Sequence, residues 1–429
     1  MGVYDTEVRA TFDTMTGLMD RMTFFDDVNV CRDSGRQVHI VMIQLSRLLQ
    51  TNRKYGVAAG DQLLRDISMW LAELSEEYKA YRIANSRLML LGPVCGRQEA
   101  DACVSRIRRR FEESWQVTCG GQTQSITAKA CVVHLFLEEK DTENDLLDKM
   151  NFGISVMGKK GRNGVVFFDE EIKGDLEHRN HVLEEVRYAI EHKTFRMYYQ
   201  PIYDCREGKF AAAESLIRLW DREGNFISPG EFIPMAEENG LIDQISWIVL
   251  EKVCRFLGEH PQLPLRTVSV NLTEQQVSDV TLLERIEALL NECRISGDRL
   301  RIEITERTVA DDFEEVRQVM QCLEKKGVRF YLDDFGTGYS NLSSVLSLPF
   351  EVIKFDQSLV QMIDHGRRGY RTIELLTQIM HENEMIVVAE GIETAQQAQT
   401  VREAGVDRIQ GFYYAKPLPE EELAVFLLS

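Results

Sequence analysis

No run of apolar side chains approaches the roughly 18 residues of a membrane span, and the opening MGVYDTEVRA lacks a basic-then-apolar leader layout. The chain therefore reads as cytosolic, with no membrane segment. Cysteine pairing is missing too: the nine cysteines are odd in number, scattered and never in a CxxC pair. That argues against a disulfide framework or a structural zinc site. The eight histidines show neither HxH nor HExxH spacing, so any metal must be held by oxygen. Proline is scarce at nine residues, and 44% hydrophobic with 28% charged residues excludes a disordered or collagen-like chain. Positive charge is short as well. Fifty basic residues face 69 acidic ones, a net charge of −19, which repels phosphate backbones and speaks against nucleic-acid binding. An anionic substrate would need a local metal site or an Arg/Lys cluster to reverse that field.

What is present is length for two or three domains: 429 residues at roughly 150 each. Residues 1–168 mix helical spacing (19–33, 58–74) with strand-like runs at 39–45, 80–91, 126–135 and 165–168, the pattern of one α/β domain. The acidic, polar stretch 169–180 reads as a linker. Over 181–429 a βα rhythm repeats eight times, with strands expected at 197–202, 211–219, 267–273, 300–306, 329–335, 352–356, 385–390 and 408–414. Ser228 is placed as an N-cap before Pro229. Eight strands with helical crossovers over about 250 residues match a (β/α)8, TIM-like barrel.

In such a barrel function sits at the C-terminal ends of the strands. Glu214, Asn271, Glu303, Glu306, Asp333, Asp334, Lys354, Glu390 and Gln410 stand there. A single carboxylate at a strand end is usually solvated or caps the next helix. Five (Glu214, Glu303, Asp333, Asp334, Glu390) converging from four strands would repel one another unless they are protonated or cations neutralise them. Hard divalent ions suit such ligands, and a pair of them makes a phosphoester clamp. Asp334-Phe335-Gly336 also occurs in kinases, but no Gly-rich phosphate loop or His-Arg-Asp loop accompanies it.

These residues resemble a family. Gln200-Pro201-Ile202, Glu214-Ser215-Leu216-Ile217-Arg218, Asn271, Glu303-Ile304-Thr305-Glu306, the run from Asp333 to Ser340, Lys354, Glu390-Gly391-Ile392-Glu393 and Gln410-Gly411-Phe412 look like an EAL domain over 181–429. The resemblance implies a phosphodiesterase that hydrolyses cyclic di-GMP to linear pGpG with two Mg2+ or Mn2+ ions. It assigns Glu214, Asn271, Glu303 and Asp333 to one ion, and Asp333, Asp334 and further groups to the other. Lys354 would orient the attacking water, and Glu390 would ligate metal or relay a proton. Arg218 would engage a phosphate oxygen, with Gln200, Leu216, Gln410 and Pro417 along the nucleotide's path. Glu306 and Glu393 would support the loop after the Asp pair, and a homodimer is implied. Two departures are visible: Ser215 replaces the usual Ala, and Glu351 replaces an Asp where a metal-proximal hydrogen bond would shift. The other reading is a receptor that binds cyclic di-GMP without cleaving it. Receptors of that kind usually lack a metal carboxylate, and none is missing here.

The first domain resembles the GGDEF cyclase fold through the run Asp13–Arg21, Asn52-Arg53-Lys54-Tyr55-Gly56, Gly60-Asp61 and Gly161-Arg162-Asn163. Its signature is gone: Ala84-Asn85-Ser86-Arg87-Leu88 stands in its place, and Gln44 replaces the metal-binding Asp. Cyclisation needs metal-held triphosphates and glycines that let the backbone approach. A dead cyclase is expected. Asn52 and Asp61 occupy guanine-reading positions, open either to regulatory GTP or to a local role as turn and helix-start residues.

Overall fold

A computed structural model of the chain describes residues 10–74, 76–93, 96–160, 164–279, 281–305, 313–337 and 342–428. They divide into two compact units, Met1–Asn180 and His181–Ser429.

The first unit is built on strands β1 (Val38–Ser46), β2 (Lys79–Ala84) and β3 (Arg87–Pro93), the ribbon β4 (Trp115–Cys119) and β5 (Gln122–Ile126), then β6 (Lys129–Phe136) and β7 (Gly164–Phe167). The main sheet runs β2-β3-β1-β6-β7. The β1 sequence VHIVMIQLS is almost continuously apolar because both its faces are covered. Val41, Ile43 and Leu45 pack with Leu63, Ile67 and Ile107 on one side, and Ile40 and Met42 with Phe24, Val28 and Met150 on the other. Helices therefore lie on both faces of the sheet. Two expectations change. The run 80–91 is a hairpin of β2 and β3, not one strand, turning at Asn85 and Ser86. Met19 lies before the first helix (Arg21–Asp33), which Asp20 caps by accepting from the Thr23 N–H at 3.0 Å.

The polar stretch expected to be a linker is helical. Glu170–His192 forms one helix, and the boundary between the units falls inside it. Its i, i+4 pair Ile172 and Leu176 packs on the first unit's core, while Val182, Val186 and Ala189 are buried in the second.

The second unit is a closed barrel. Its strands are β8 (Arg196–Asp204), β9 (Lys209–Trp220), β11 (Thr267–Asn271), β12 (Leu300–Thr305), β13 (Arg329–Phe335), β14 (Phe350–Phe355), β15 (Ile386–Ala389) and β16 (Arg408–Ile409). Two short strands, β10 (Phe226–Ile227) and β17 (Leu418–Pro419), extend β9 and β8. Seven barrel strands are parallel. The first, β8, is antiparallel to both neighbours, β9 and β16. Eight βα units were expected, but β8 and β9 are a hairpin without a helix. The Asp204 side chain accepts the backbone N–H of Arg206 and Glu207 at 3.0 Å each, and Gly208 takes φ +68°, so DCREG closes a tight turn. Ile202, Ala212, Tyr331, Val352 and Val388 form an apolar cluster below the charged end. Among the described residues no helix is long and apolar enough to cross a membrane.

Candidate metal centre

Along the strands that meet in the barrel, inward residues alternate with outward ones. Register sets Glu214 of β9 beside Ser269, Asn271 of β11 beside Glu303 of β12, and Asp333 of β13 beside Thr305. Glu303 is fully buried and Glu214 nearly so. Two overlapping groups of carboxylate oxygens lie within 4.8 Å of one another: Glu214, Glu303 and Asp333, then Asp333, Asp334 and Glu390. Asp333 belongs to both. Alternation alone would send the adjacent Asp334 outward. A register irregularity between Leu332 and Phe335, with Asp334 at φ +58°, turns it to the same side.

Lys354 of β14 rises into the middle of these oxygens. Its Nζ is 2.7 Å from Glu390, 2.9 Å from Glu303, 3.0 Å from Asp333 and 3.2 Å from Glu214. Glu214 is held further by Asn271 Nδ2 at 3.1 Å and Gln410 Nε2 at 2.6 Å. Gln410 also donates to Gln200 Oε1 at 3.1 Å, and Gln200 donates to the Ala415 carbonyl at 3.2 Å.

The electrostatics separate these carboxyls. Burial pushes Glu214 up, but Lys354, Gln410 and Asn271 outweigh it and hold the group below its ordinary range. Burial raises Glu303 well above its usual value, with Glu214 and Asp333 adding to the rise. Glu390 is pushed up to about 8 by burial and by Asp333 and Glu214, against the pull of Lys354. Asp334 rises through burial and the nearby Asp333 and Asp356. Burial disfavours the Lys354 ammonium, yet its carboxylate neighbours keep it charged. Glu303 Oε1 is buried without a hydrogen bond, and Asp333 Oδ1, buried and without one too, has the Lys354 ammonium at 3.0 Å as its ion partner. Oxygen donors this crowded and this incompletely paired suit hard divalent cations.

Beside Asn271 lies a cavity of about 420 Å³, lined by Leu216, Arg218, Pro229, Ile233, Ile245 and Val249 among others. Leu216 and Arg218 were expected near the nucleotide; the apolar residues from the helices Pro229–Glu238 and Ile242–Glu259 were not. Their i, i+3, i+7 spacing at Ile242, Ile245 and Val249 was the available signal. Ser228 sits at the N-cap of the first of these helices, but its side chain makes no cap bond.

Other expected residues fall elsewhere. Glu306 and the loop residues 338–341 lie outside the described residues. Glu393 is exposed, and its N–H bonds to the Gln397 side chain at the start of the helix Ala395–Glu403. Pro417 is half-buried just before β17. Glu351 is not near the carboxylate cluster: it accepts from Arg301 Nε at 2.6 Å at the N-terminal ends of β12 and β14. In the first unit, Gln44 is tied to the β2–β3 hairpin by Arg87 Nε at 2.7 Å and Ser86 Oγ at 2.7 Å. Asn52 lies over Gly60, where any Cβ would meet its Oδ1 at 1.8 Å. Asp61 follows on the helix Val57–Ala72.

The sequence matches the family described as EAL domain over residues 183–417, and that described as diguanylate cyclase, GGDEF domain, over residues 10–164. Cyclic di-GMP phosphodiesterase NbdA of Pseudomonas aeruginosa is 28% identical over 97% of this chain and 54% of its own length. Cyclic di-GMP phosphodiesterase PdeR of Escherichia coli is 26% identical over 96% of this chain and 62% of its own length. The chain thus spans about half to three fifths of the curated relatives it matches. Among solved structures, the phosphodiesterase PaMucR in complex with c-di-GMP is 29% identical over 56% of this chain and 99% of its own, with a TM-score of 0.53. The c-di-GMP-bound EAL domain of FimX from Pseudomonas aeruginosa is 25% identical over 55% of this chain and 96% of its own, with a TM-score of 0.52.

Proposed function

The chain belongs to the EAL family, with a GGDEF domain in tandem, and from that premise we propose that its barrel hydrolyses cyclic di-GMP to linear pGpG at a site for two divalent cations. The observation that carries the reading is the pair of carboxylate groups sharing Asp333. Glu214, Asn271, Glu303 and Asp333 would hold one cation, and Asp333, Asp334 and Glu390 the other. Bound there, Mg2+ or Mn2+ would neutralise the carboxylates and supply Lewis acidity toward the phosphoryl group.

The remaining work falls to the chain's own residues. Gln410 and Asn271 fix the Glu214 carboxylate from both of its oxygens, so the ligand set is held in shape. Lys354 adds positive charge close to where water must attack phosphorus. Arg218 lines the adjoining cavity, where its guanidinium can grip a non-bridging phosphate oxygen. The apolar wall of Pro229, Ile233, Ile245 and Val249 offers a face on which a nucleobase can lie dry.

The first unit would make no cyclic di-GMP, because Gln44 and Arg87 each stand where catalysis needs a carboxylate, and Ala84 and Asn85 where it needs glycines. Asn52 and Asp61 would be its guanine contacts if it takes GTP. The deciding experiment incubates the purified chain with cyclic di-GMP and Mg2+ or Mn2+ and follows pGpG by chromatography. Turnover should vanish in chelator and return with either cation. Tight binding of cyclic di-GMP without any pGpG would favour a receptor instead.

A further inference from the structure

Lys354 is 1% exposed, and four carboxylates lie within 3.2 Å of its Nζ. Those four, with Asp334, are the members of the two cation-binding groups. Among the described residues no other basic side chain is within 4.0 Å of any of them. The ammonium therefore contacts the same acidic side chains that would ligate a divalent ion.

We propose that Lys354 is a built-in counter-ion that lets the carboxylate cluster fold before any cation arrives, and that it competes with divalent cations for the same oxygens, so holding metal affinity down. The proposal rests on the two-cation reading above. Carboxylates brought this close from several strands repel one another in a poorly solvated place. A buried charge deprived of its partner is strongly destabilising. One ammonium answers only part of that repulsion, since five carboxyl groups share a single basic neighbour. Two divalent ions together with the ammonium would match the five carboxylates in charge. Without Lys354 the same oxygens would attract cations more strongly and hold together less well in their absence.

The test uses the full chain and Lys354→Met, which keeps an unbranched stem and removes the charge. In chelator its melting temperature should fall by about 5 °C or more relative to wild type. Calorimetry with MnCl2 should give a Kd about tenfold lower or more, and Mn2+ should raise the melting temperature further in the variant than in wild type. An unchanged or weaker Mn2+ affinity overturns the proposal. Should Lys354→Met fail to fold in chelator, Lys354→Met/Glu303→Gln carries the test. Losing one uncompensated carboxylate should restore folding, and equal instability would trace the defect to packing and overturn the counter-ion role. If neither protein takes up Mn2+, the two-cation reading fails on its own, and the melts in chelator decide whether Lys354 is a counter-ion.

Discussion

Arg87 donates from Nε to Gln44 Oε1 at 2.7 Å, joining β3 to β1 at two positions where the GGDEF resemblance leads one to expect carboxylates. Gln44 donates in turn to Ser86 Oγ at 2.7 Å, so both ends of the amide are engaged. A cation would meet a guanidinium here instead of a carboxylate. We predict no cyclic di-GMP from GTP with Mg2+, in wild type or in Gln44→Asp, because Arg87 would pair with the new carboxylate. Chromatography of the GTP reaction checks this, and any synthesis by wild type refutes it. GTP should bind no tighter than about micromolar, roughly −8 kcal/mol, as read by calorimetry on the full chain.

Glu214 is held at both oxygens, by Asn271 on one and by Gln410 and Lys354 on the other. Glu214→Ala should remove more than about 99% of cyclic di-GMP turnover, since losing a metal ligand forfeits several kcal/mol of charge stabilisation. Binding of the dinucleotide should survive through Arg218 and the apolar cavity. Near wild-type turnover in a folded Glu214→Ala protein would show that this carboxylate holds no cation.

The carboxylates were legible in the sequence because barrel strands bring their C-terminal ends together, so each acidic residue could be placed from strand order alone. Strand direction was not legible. Apolar periodicity is the same for a parallel and an antiparallel strand, and only the short turn at 205–208, closed by Asp204 and Gly208, shows that β8 reverses. In the helix Glu170–His192 the second half was legible as a helix from residue 182 on, but the first half was hidden because it buries only a narrow stripe, leaving a polar composition that reads as a linker. The fourfold contact of Lys354 was hidden for a different reason: a lysine at a strand end has many rotamers, and only its neighbours from β9, β12, β13 and β15's end select one.

His39 and His134 sit side by side in the first unit's sheet, Nε2 to Nδ1 at 3.1 Å, with Tyr78 Oη 2.7 Å from the other His39 nitrogen. Burial depresses His39 to about 3, aided by His134, and His134 to about 4, opposed by Asp101 and aided by Arg97. Both are therefore neutral in the native state, while the unfolded chain takes up protons near the ordinary value of 6.5. The stability they protect is complete above about pH 6.5 and drains away as pH falls toward 4 and 3, at up to about 1.4 kcal/mol per pH unit for each ring. Thermal melts of the full chain between pH 7.5 and 4.5 should show the first unit weakening in acid. His39→Gln/His134→Gln should flatten that trend, and an equally steep loss in the variant would assign it to other groups.

Asp334 joins two demands at one position, and substitutions can separate them. Its φ of +58° is the left-handed region, which asparagine and aspartate tolerate and β-branched residues do not. Its carboxylate is part of the group with Asp333 and Glu390. Asp334→Asn keeps the backbone preference and loses the charge, so it should melt within a few degrees of wild type in chelator yet lose at least about 90% of turnover, with weaker Mn2+ uptake by calorimetry. Asp334→Val loses both, adding roughly 1–2 kcal/mol of backbone strain that should appear as a lower melting temperature even in chelator. Two residues on, Gly336 takes φ +107°, and a Cβ there would approach Leu359 to 2.9 Å, so Gly336→Ala should destabilise the same bend while leaving every carboxylate in place. Should Asp334→Val melt like Asp334→Asn, the left-handed turn costs valine nothing and the bend is not what aims Asp334 at the cluster.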